Sequence, residues 1–254
     1  YKASPTLKRF HKSDAFVKGI KGPLGSGKSV GMCWEIFMRA NEMIPGDDGW
    51  KRSKWLVARN TLPQLETTTM ETWLEWFPEH LFGKMNRKPP FHHHIKLKDY
   101  NIDLQVIFLA LDKPEDQRKL LSFEATGMWF NEAREMDYEL ISAATGRVGR
   151  YPPMKEAPQA IRDLGAKSIR FVQEYVIDAD VQRCRKITGL RKKDVDWLFK
   201  QDGFELARRW MTQRYIIMDT NPPDDEHWWY KMAEEDSWAV DENGKACDPE
   251  EILP

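Results

Sequence analysis

Cysteine is scarce in these 254 residues. There are three, Cys33, Cys184 and Cys247, widely spaced and odd in number. That excludes a disulfide framework and a cysteine zinc site, and it fits a reducing compartment. No apolar run approaches the ~18 residues that a membrane-crossing helix needs, and no signal-peptide pattern opens the chain. Net charge is nearly absent too: 39 Lys and Arg against 40 Asp and Glu leave −1. No global basic field therefore draws in a polyanion, and any nucleic-acid contact must be a local patch.

What is present is unevenly spread. The hydrophobic share is 41%, with eleven Trp and twelve Phe, enough for the core of one large domain or of one domain with a small companion. Residues 1–21 carry six Lys and Arg against Asp14 alone, whereas residues 224–251 carry eleven acids against Lys231 and Lys245.

The stretch Gly22-Pro23-Leu24-Gly25-Ser26-Gly27-Lys28-Ser29 fills every fixed position of G-x-x-x-x-G-K-[ST]. The apolar-alternating run 16–20 before it reads as a strand, and residues 30–41 after it, free of Pro, read as a helix. That is the context the motif requires. Glycines let successive amide N–H groups point into one concavity, and the helix start adds the positive end of its dipole. The expectation is a phosphate cradle running from Gly22 to Val30. Lys28 would reach the β- and γ-phosphates of ATP, and the Ser29 hydroxyl would hold Mg²⁺.

Further strands end in polar residues. Residues 54–59 read as a buried strand. A helical stretch begins at Thr61 with Pro63 in its first turn and stops at Pro78. Residues 91–111 read as two strands, the second nearly continuous in apolar residues from Leu104 to Leu111, as a central strand covered on both faces would be. Of His92, His93 and His94, only His92 and His94 share a strand face, with no acid or Cys close in sequence, so a plain strand near a surface is favoured over a metal site.

The buried run Gly127-Met128-Trp129-Phe130 delivers Asn131 and Glu132 at its end. Glu132 is the candidate general base. Asn131 stands where P-loop ATPases carry an acid for Mg²⁺; it can hold a metal-bound water but brings no charge. A helix cap with a first-turn acid is the plain alternative. Arg147 and Arg150, in a Gly-rich loop, suit a finger that neutralises transition-state charge, or a solvated or DNA-facing loop. The strand from Tyr215 to Asp219 ends in Thr220 and Asn221, which can sense the γ-phosphate. Phe10 is a candidate for stacking on adenine, with a core Phe the simpler reading.

Taken together, the segments 22–29, 58–63, 108–112, 129–133, 146–153 and 219–223 with His227-Trp228 resemble the N-terminal packaging ATPase of the tailed-phage large terminase. The likeness covers most of residues 5–153 and 214–232. It implies an α/β P-loop NTPase fold of the ASCE type, with a mainly parallel central sheet flanked by helices. It implies an Mg²⁺-dependent ATPase that moves double-stranded DNA into a procapsid. Such a motor works as a homo-oligomeric ring on the portal protein, with a small terminase subunit, in the host cytoplasm during virion assembly. It implies that Thr220 and Asn221 couple hydrolysis to movement. The ATPase core is expected over 1–154 and 215–235. Residues 236–254 are expected to be an acidic linker towards a nuclease domain, and no nuclease activity is expected of this chain. Two alternatives stand beside it. A helicase-like P-loop motor should show a second set of motor motifs, and none is visible. A nucleotide-gated DNA-binding switch with weak turnover would not need Glu132.

Residues 155–214 do not fit the core. Their basic residues exceed the acidic ones by five. Apolar residues fall at helical spacing at Ile169, Val172 and Val176 and again at Val195, Leu198 and Phe199, with a turn at Thr188-Gly189-Leu190. A helical insertion of the helix-turn-helix type is expected, with Arg191, Lys192 and Lys193 opening the second helix against DNA. The run 170–178 also resembles the opening of the small terminase subunit's DNA-binding domain. A helical insertion serving packing or ring contacts is the alternative.

Overall fold

A computed structural model describes residues 1–112, 114–164, 203–222, 227–229, 239–240 and 246–247. Helix α1 (Pro5–Lys12) opens the chain. Ser4 caps it by accepting from the Leu7 amide, and Pro5 takes a first-turn place where no N–H is needed. Strand β1 (Val17–Lys21) runs into the Gly-rich loop and α2 (Lys28–Glu42). Next come β2 (Lys51–Arg59), α3 (Leu62–Gln64), a π-helical turn (Leu65–Met70), α4 (Glu71–Trp76) and α5 (Glu79–Phe82). They are followed by β3 (Met85–Asn86), β4 (Phe91–Leu97), β5 (Ile102–Ala110), α6 (Pro114–Ser122) and β6 (Gly127–Asn131). Then α7 (Tyr138–Thr145), α8 (Gln159–Arg162), α9 (Phe204–Thr212) and β7 (Tyr215–Thr220) complete the main body. A separate two-stranded ladder pairs Ala239–Val240 with Ala246–Cys247.

The main sheet has seven strands in the order β1-β7-β6-β2-β5-β4-β3. The five from β1 to β5 pair in parallel, and β4 and β3 extend them antiparallel at one edge. Side chains alternate between two cores, as the strand period of two demands. Trp55, Val57, Trp129 and Ile217 face Met32 and Ile36 of α2 and Trp73 of α4. Leu56, Ala58, Met128, Phe130, Ile216 and Met218 face Ile141 of α7 and Trp229. β6 and β7 are buried along their whole length, the signature of interior parallel strands. β5 departs from expectation. It lies inside the sheet, but Gln105, Ile107 and Leu109 are only half-buried, because one of its faces opens into a cleft lined with Phe123.

Two local readings resolve plainly. His93 is buried and neutral: Trp73 Nε1 donates to its Nδ1 (3.0 Å), so its Nε2 carries the proton given to the Gly83 carbonyl (2.7 Å). Burial lowers its pKa, and His94 pairs instead with Asp103 (2.7 Å). Phe10 is not available to stack on adenine. It is 9% exposed, belongs to the core, and has the Lys18 ammonium 4.7 Å from its ring centre.

The described ends of the 155–214 segment are helical and meet. Ile161 of α8 packs with Phe204, Ala207 and Trp210 of α9 and with Ile44, in a third cluster apart from the sheet. Gly203 turns the chain into α9 at φ 87°, where a side chain's Cβ would sit 2.7 Å from the Ala160 carbonyl oxygen. Only glycine fits both demands.

Candidate functional site

The carboxyl ends of β1, β7, β6 and β2 lie side by side, with Lys21 opposite Thr220, Asp219 opposite Asn131, and Phe130 opposite Ala58. Open parallel sheets bind their ligands at this edge. The Gly-rich loop leaves β1 here. Gly25 and Gly27 hold φ of 74° and 79°, which side-chain-bearing residues rarely adopt. Gly27 caps α2 without a side-chain hydrogen bond, so the first amides of α2 remain for a ligand. The Gly22 amide donates to the Thr220 carbonyl (3.2 Å) and ties the loop to β7.

Lys28 is 7% exposed. Its Nζ donates to the carbonyls of Gly22 (2.7 Å) and Pro23 (2.9 Å) and to Asn221 Oδ1 (3.1 Å). Among the described residues none of these partners is charged, so the ammonium stands ready for an anion. The other side of Asn221 faces Glu132: its Nδ2 donates to Oε1 (3.0 Å) and its backbone N–H to Oε2 (3.1 Å). Glu132 itself sits at φ 52°, a conformation that costs a non-glycine residue about 1–3 kcal/mol and that clusters at functional sites. Arg134 approaches the same carboxylate, its Nε 4.0 Å from Oε2.

Beneath this lies a second, buried group. Ser29 donates its hydroxyl proton to Asp219 Oδ2 (3.2 Å), Trp129 Nε1 donates to Oδ1 (2.7 Å), and Asn131 Nδ2 donates to both oxygens (3.0 and 3.1 Å). Asp219 is completely buried. Burial pushes its carboxyl pKa up, the nearby Glu132 charge pushes the same way, and the donated hydrogen bonds oppose both. The Asn131 oxygen accepts from Thr69 Oγ1 (2.7 Å), and the acceptor-only carboxylate of Asp219 fixes the amide nitrogen on its own side.

The sequence matches no protein-family model and no curated protein. Solved structures do match. The chain superposes on the large terminase of a thermophilic bacteriophage with a TM-score of 0.52 at 11% identity, over 92% of this chain and 41% of that one. A second crystal form of that terminase gives 0.50 at 13%, over 96% and 45%. Its complex with ADP gives 0.50 at 13%, over 93% and 39%.

The fold is that of a phage large terminase. This chain spans less than half the length of these three terminase chains. On the terminase fold, the cradle from Gly22 to Val30, Lys28, Ser29, Asn131, Glu132 and Asn221 all meet at one edge. Thr220 is wholly buried and its hydroxyl has no partner among the described residues; its contribution to the edge is its carbonyl. Arg147 and Arg150 do not join them. Ala125, just before β6, exchanges backbone hydrogen bonds with both, so their loop lies at the amino end of the strand. Six residues at the rise of a strand put it about 20 Å from Asn131. Arg191, Lys192 and Lys193 lie outside the described residues.

Four residues at the edge were not singled out from the sequence. Asp219 carried a usable signal, an acid at the end of an apolar strand. Arg134 follows Glu132 by two. Arg59, whose guanidinium donates to the Asn131 carbonyl (3.2 Å), and Thr69 in the π turn carried none. Among the described residues no cluster of three or more His, Cys, Asp or Glu could hold a metal ion unaided. The donor set nonetheless fits Mg²⁺ bound in the phosphate-dependent way, with one hydroxyl at a helix start backed by a carboxylate and the other ligands from phosphate and water. Among the described residues no helix is long and apolar enough to cross a membrane.

Proposed function

We propose that this chain binds and hydrolyses ATP as the motor part of a DNA-packaging terminase. The observation that carries the reading is the bridge made by Asn221, which holds the P-loop lysine on one side at 3.1 Å and Glu132 on the other at 3.0 Å. A phosphate lysine and a carboxylate positioned through one amide are the parts of a hydrolase rather than of a passive nucleotide sink.

In this reading the loop amides and Lys28 bind the phosphates, and Ser29 holds Mg²⁺ with Asp219 and Asn131 behind it. Mg²⁺, when bound, supplies charge neutralisation on the phosphate oxygens. Glu132 takes the proton of the attacking water. As Lys28 turns from Asn221 to the incoming phosphate, Asn221 loses one partner but keeps its two bonds to Glu132, so loading and base position are linked through this one residue. Thr220 passes that change to the loop through the hydrogen bond from the Gly22 amide. Double-stranded DNA is the proposed load. A homo-oligomeric ring, the portal, the procapsid and the small subunit are the proposed partners.

The test is steady-state hydrolysis beside binding of a non-hydrolysed ATP analogue, with and without duplex DNA. Lys28→Ala should weaken analogue binding and abolish turnover. Glu132→Gln should keep binding and lose about 10²–10⁴ in rate, the usual worth of a general base. A wild-type chain that binds no nucleotide, or an unchanged rate in Glu132→Gln, would overturn the proposal.

A further inference from the structure

We propose that Asp219 is the acid of the metal–nucleotide site, set one strand away from the strand where such an acid is expected, and that it acts by holding the Ser29 hydroxyl. This rests on the nucleotide-site reading above. β7 lies between β1 and β6, and Asp219 pairs with Ile20 on one side and Asn131 on the other. Asp219 thus stands one strand closer to the Gly-rich loop than Asn131 does. The acid and the amide have changed strands.

The hydrogen bonds assign the roles. Every side-chain partner of Asp219 is a donor. Trp129 Nε1 can only donate. Asn131 turns its NH₂ group to Asp219, because a carboxylate can only accept, and its oxygen accepts from Thr69. Ser29 gives its proton to Asp219 Oδ2. With the proton directed inward, the lone pairs of Ser29 Oγ are free for a cation. Asp219 is therefore a positioning residue, and it supplies the negative charge that Asn131 lacks. Packing alone does not explain the choice. Ionised groups removed from water incur several kcal/mol of desolvation each, and a neutral acceptor would satisfy the Trp129 N–H as well.

The charge can be kept in the network while the acceptor for the Ser29 proton is removed. In Asp219→Asn alone, an NH₂ group replaces one carboxylate oxygen. It either faces the donors Trp129 and Asn131 or takes a lone pair of Ser29 Oγ from the cation. In the exchange variant Asn131→Asp with Asp219→Asn, the new carboxylate accepts from Thr69 and from the new amide, whose oxygen accepts from Trp129. Trp129, Thr69 and the new amide again meet acceptors, with the charge now on β6, but the Ser29 proton loses the oxygen that accepted it.

The experiment titrates Mg²⁺ into the full chain with a fluorescent, non-hydrolysed ATP analogue and compares affinity with that in EDTA. Thermal melting checks that each variant is folded. Losing a carboxylate that orients a ligand typically weakens metal affinity by about 10- to 100-fold. The Mg²⁺ concentration for half-saturation should rise by that factor in Asp219→Asn and stay raised in the exchange variant, because neither keeps an acceptor for the Ser29 proton; a return to within a few-fold of wild type in the exchange variant overturns the role through Ser29. A folded Asp219→Asn with wild-type Mg²⁺ dependence overturns the proposal. If Asp219→Asn alone does not fold, the exchange variant decides: a Mg²⁺ half-saturation raised by about 10-fold or more upholds the proposal, and wild-type Mg²⁺ dependence overturns it. Failure of the wild type to bind the analogue at all would instead sink the nucleotide-site reading.

Discussion

At the scale of single residues, the most consequential side chain is Asn221. It is an amide, so it can accept from Lys28 at one end and donate to Glu132 from the other at the same time. Replacing it with Ala leaves the backbone hydrogen bond to Glu132 but removes the link to Lys28. Asn221→Ala should lower kcat by about tenfold or more while analogue affinity changes less, because the lost contact positions the reacting groups rather than the phosphates. Equal losses in both, measured by single-turnover hydrolysis and analogue titration, would show Asn221 to be a binding residue only. The same pair of measurements applied to Glu132→Gln separates binding from chemistry at the other end of the bridge.

At the scale of elements, the placement of α2 matters most, because Lys28 and Ser29 begin it. α1 and β1 are clamped to α2 through Glu35, which is fully buried. His11 Nδ1 lies 2.6 Å from one of its oxygens, Arg39 Nε donates to the other at 2.7 Å, and Lys18 adds a third bond. Burial pushes the Glu35 carboxyl pKa up, but the bonds from His11, Lys18 and Arg39 outweigh it and hold the pKa below the usual carboxylate range. Glu35→Ala strands two buried cations and should destabilise the fold by about 3–5 kcal/mol. A depressed folded pKa contributes stability above the unfolded value, about 4.3, that is lost as pH falls through the folded one. Denaturant midpoints should therefore fall more steeply below about pH 4.3 in wild type than in Glu35→Gln, and parallel curves would remove Glu35 from the acid response. The π turn after α3 works on the same scale. Its extra residue per turn brings Thr69 to Asn131, an element irregularity placed at a site.

At the scale of the whole molecule, the two edges of the sheet carry different chemistry. The cradle, Glu132 and Asn221 crowd the carboxyl edge, while Arg147 and Arg150 sit at the amino edge. If these arginines serve an ATP site, it is that of a neighbouring copy. Specific ATPase activity should then rise with protein concentration, and Arg147→Ala with Arg150→Ala should flatten that rise; a rate independent of concentration would leave both arginines without a catalytic role. The charge of the chain is split as well. Residues 155–214 are net basic by five in a chain of net charge −1. Contacts to DNA phosphates release counterions, so affinity should fall linearly in log salt. Charge reversal at Arg191, Lys192 and Lys193 in the full chain should weaken duplex binding and flatten that slope while leaving DNA-free hydrolysis intact. An unchanged slope would assign the segment to packing or ring contacts.

The sequence by itself determined what a few neighbouring residues can settle. A loop with glycines at 25 and 27, followed at once by a helix, takes left-handed turns at both glycines wherever it sits, because backbone conformation is local. The buried run before Asn131 and Glu132 placed them at a strand end, and near-continuous apolar strands required a parallel sheet with two cores. Tertiary structure alone decided which strand ends meet. β7 comes last in the chain of the main sheet yet inserts between β1 and β6. It brings Asp219 to Ser29 across 190 positions and Asn221 to Lys28 across 193. The identity of the acid near Ser29 and the separation of Arg147 and Arg150 from the Gly-rich loop follow from that insertion or from strand polarity, and the π turn brings Thr69 to the Asn131 oxygen. Side-chain pattern tells a strand which faces to bury; the order in which strands pair depends on how the helices between them pack, and that is a property of the whole chain.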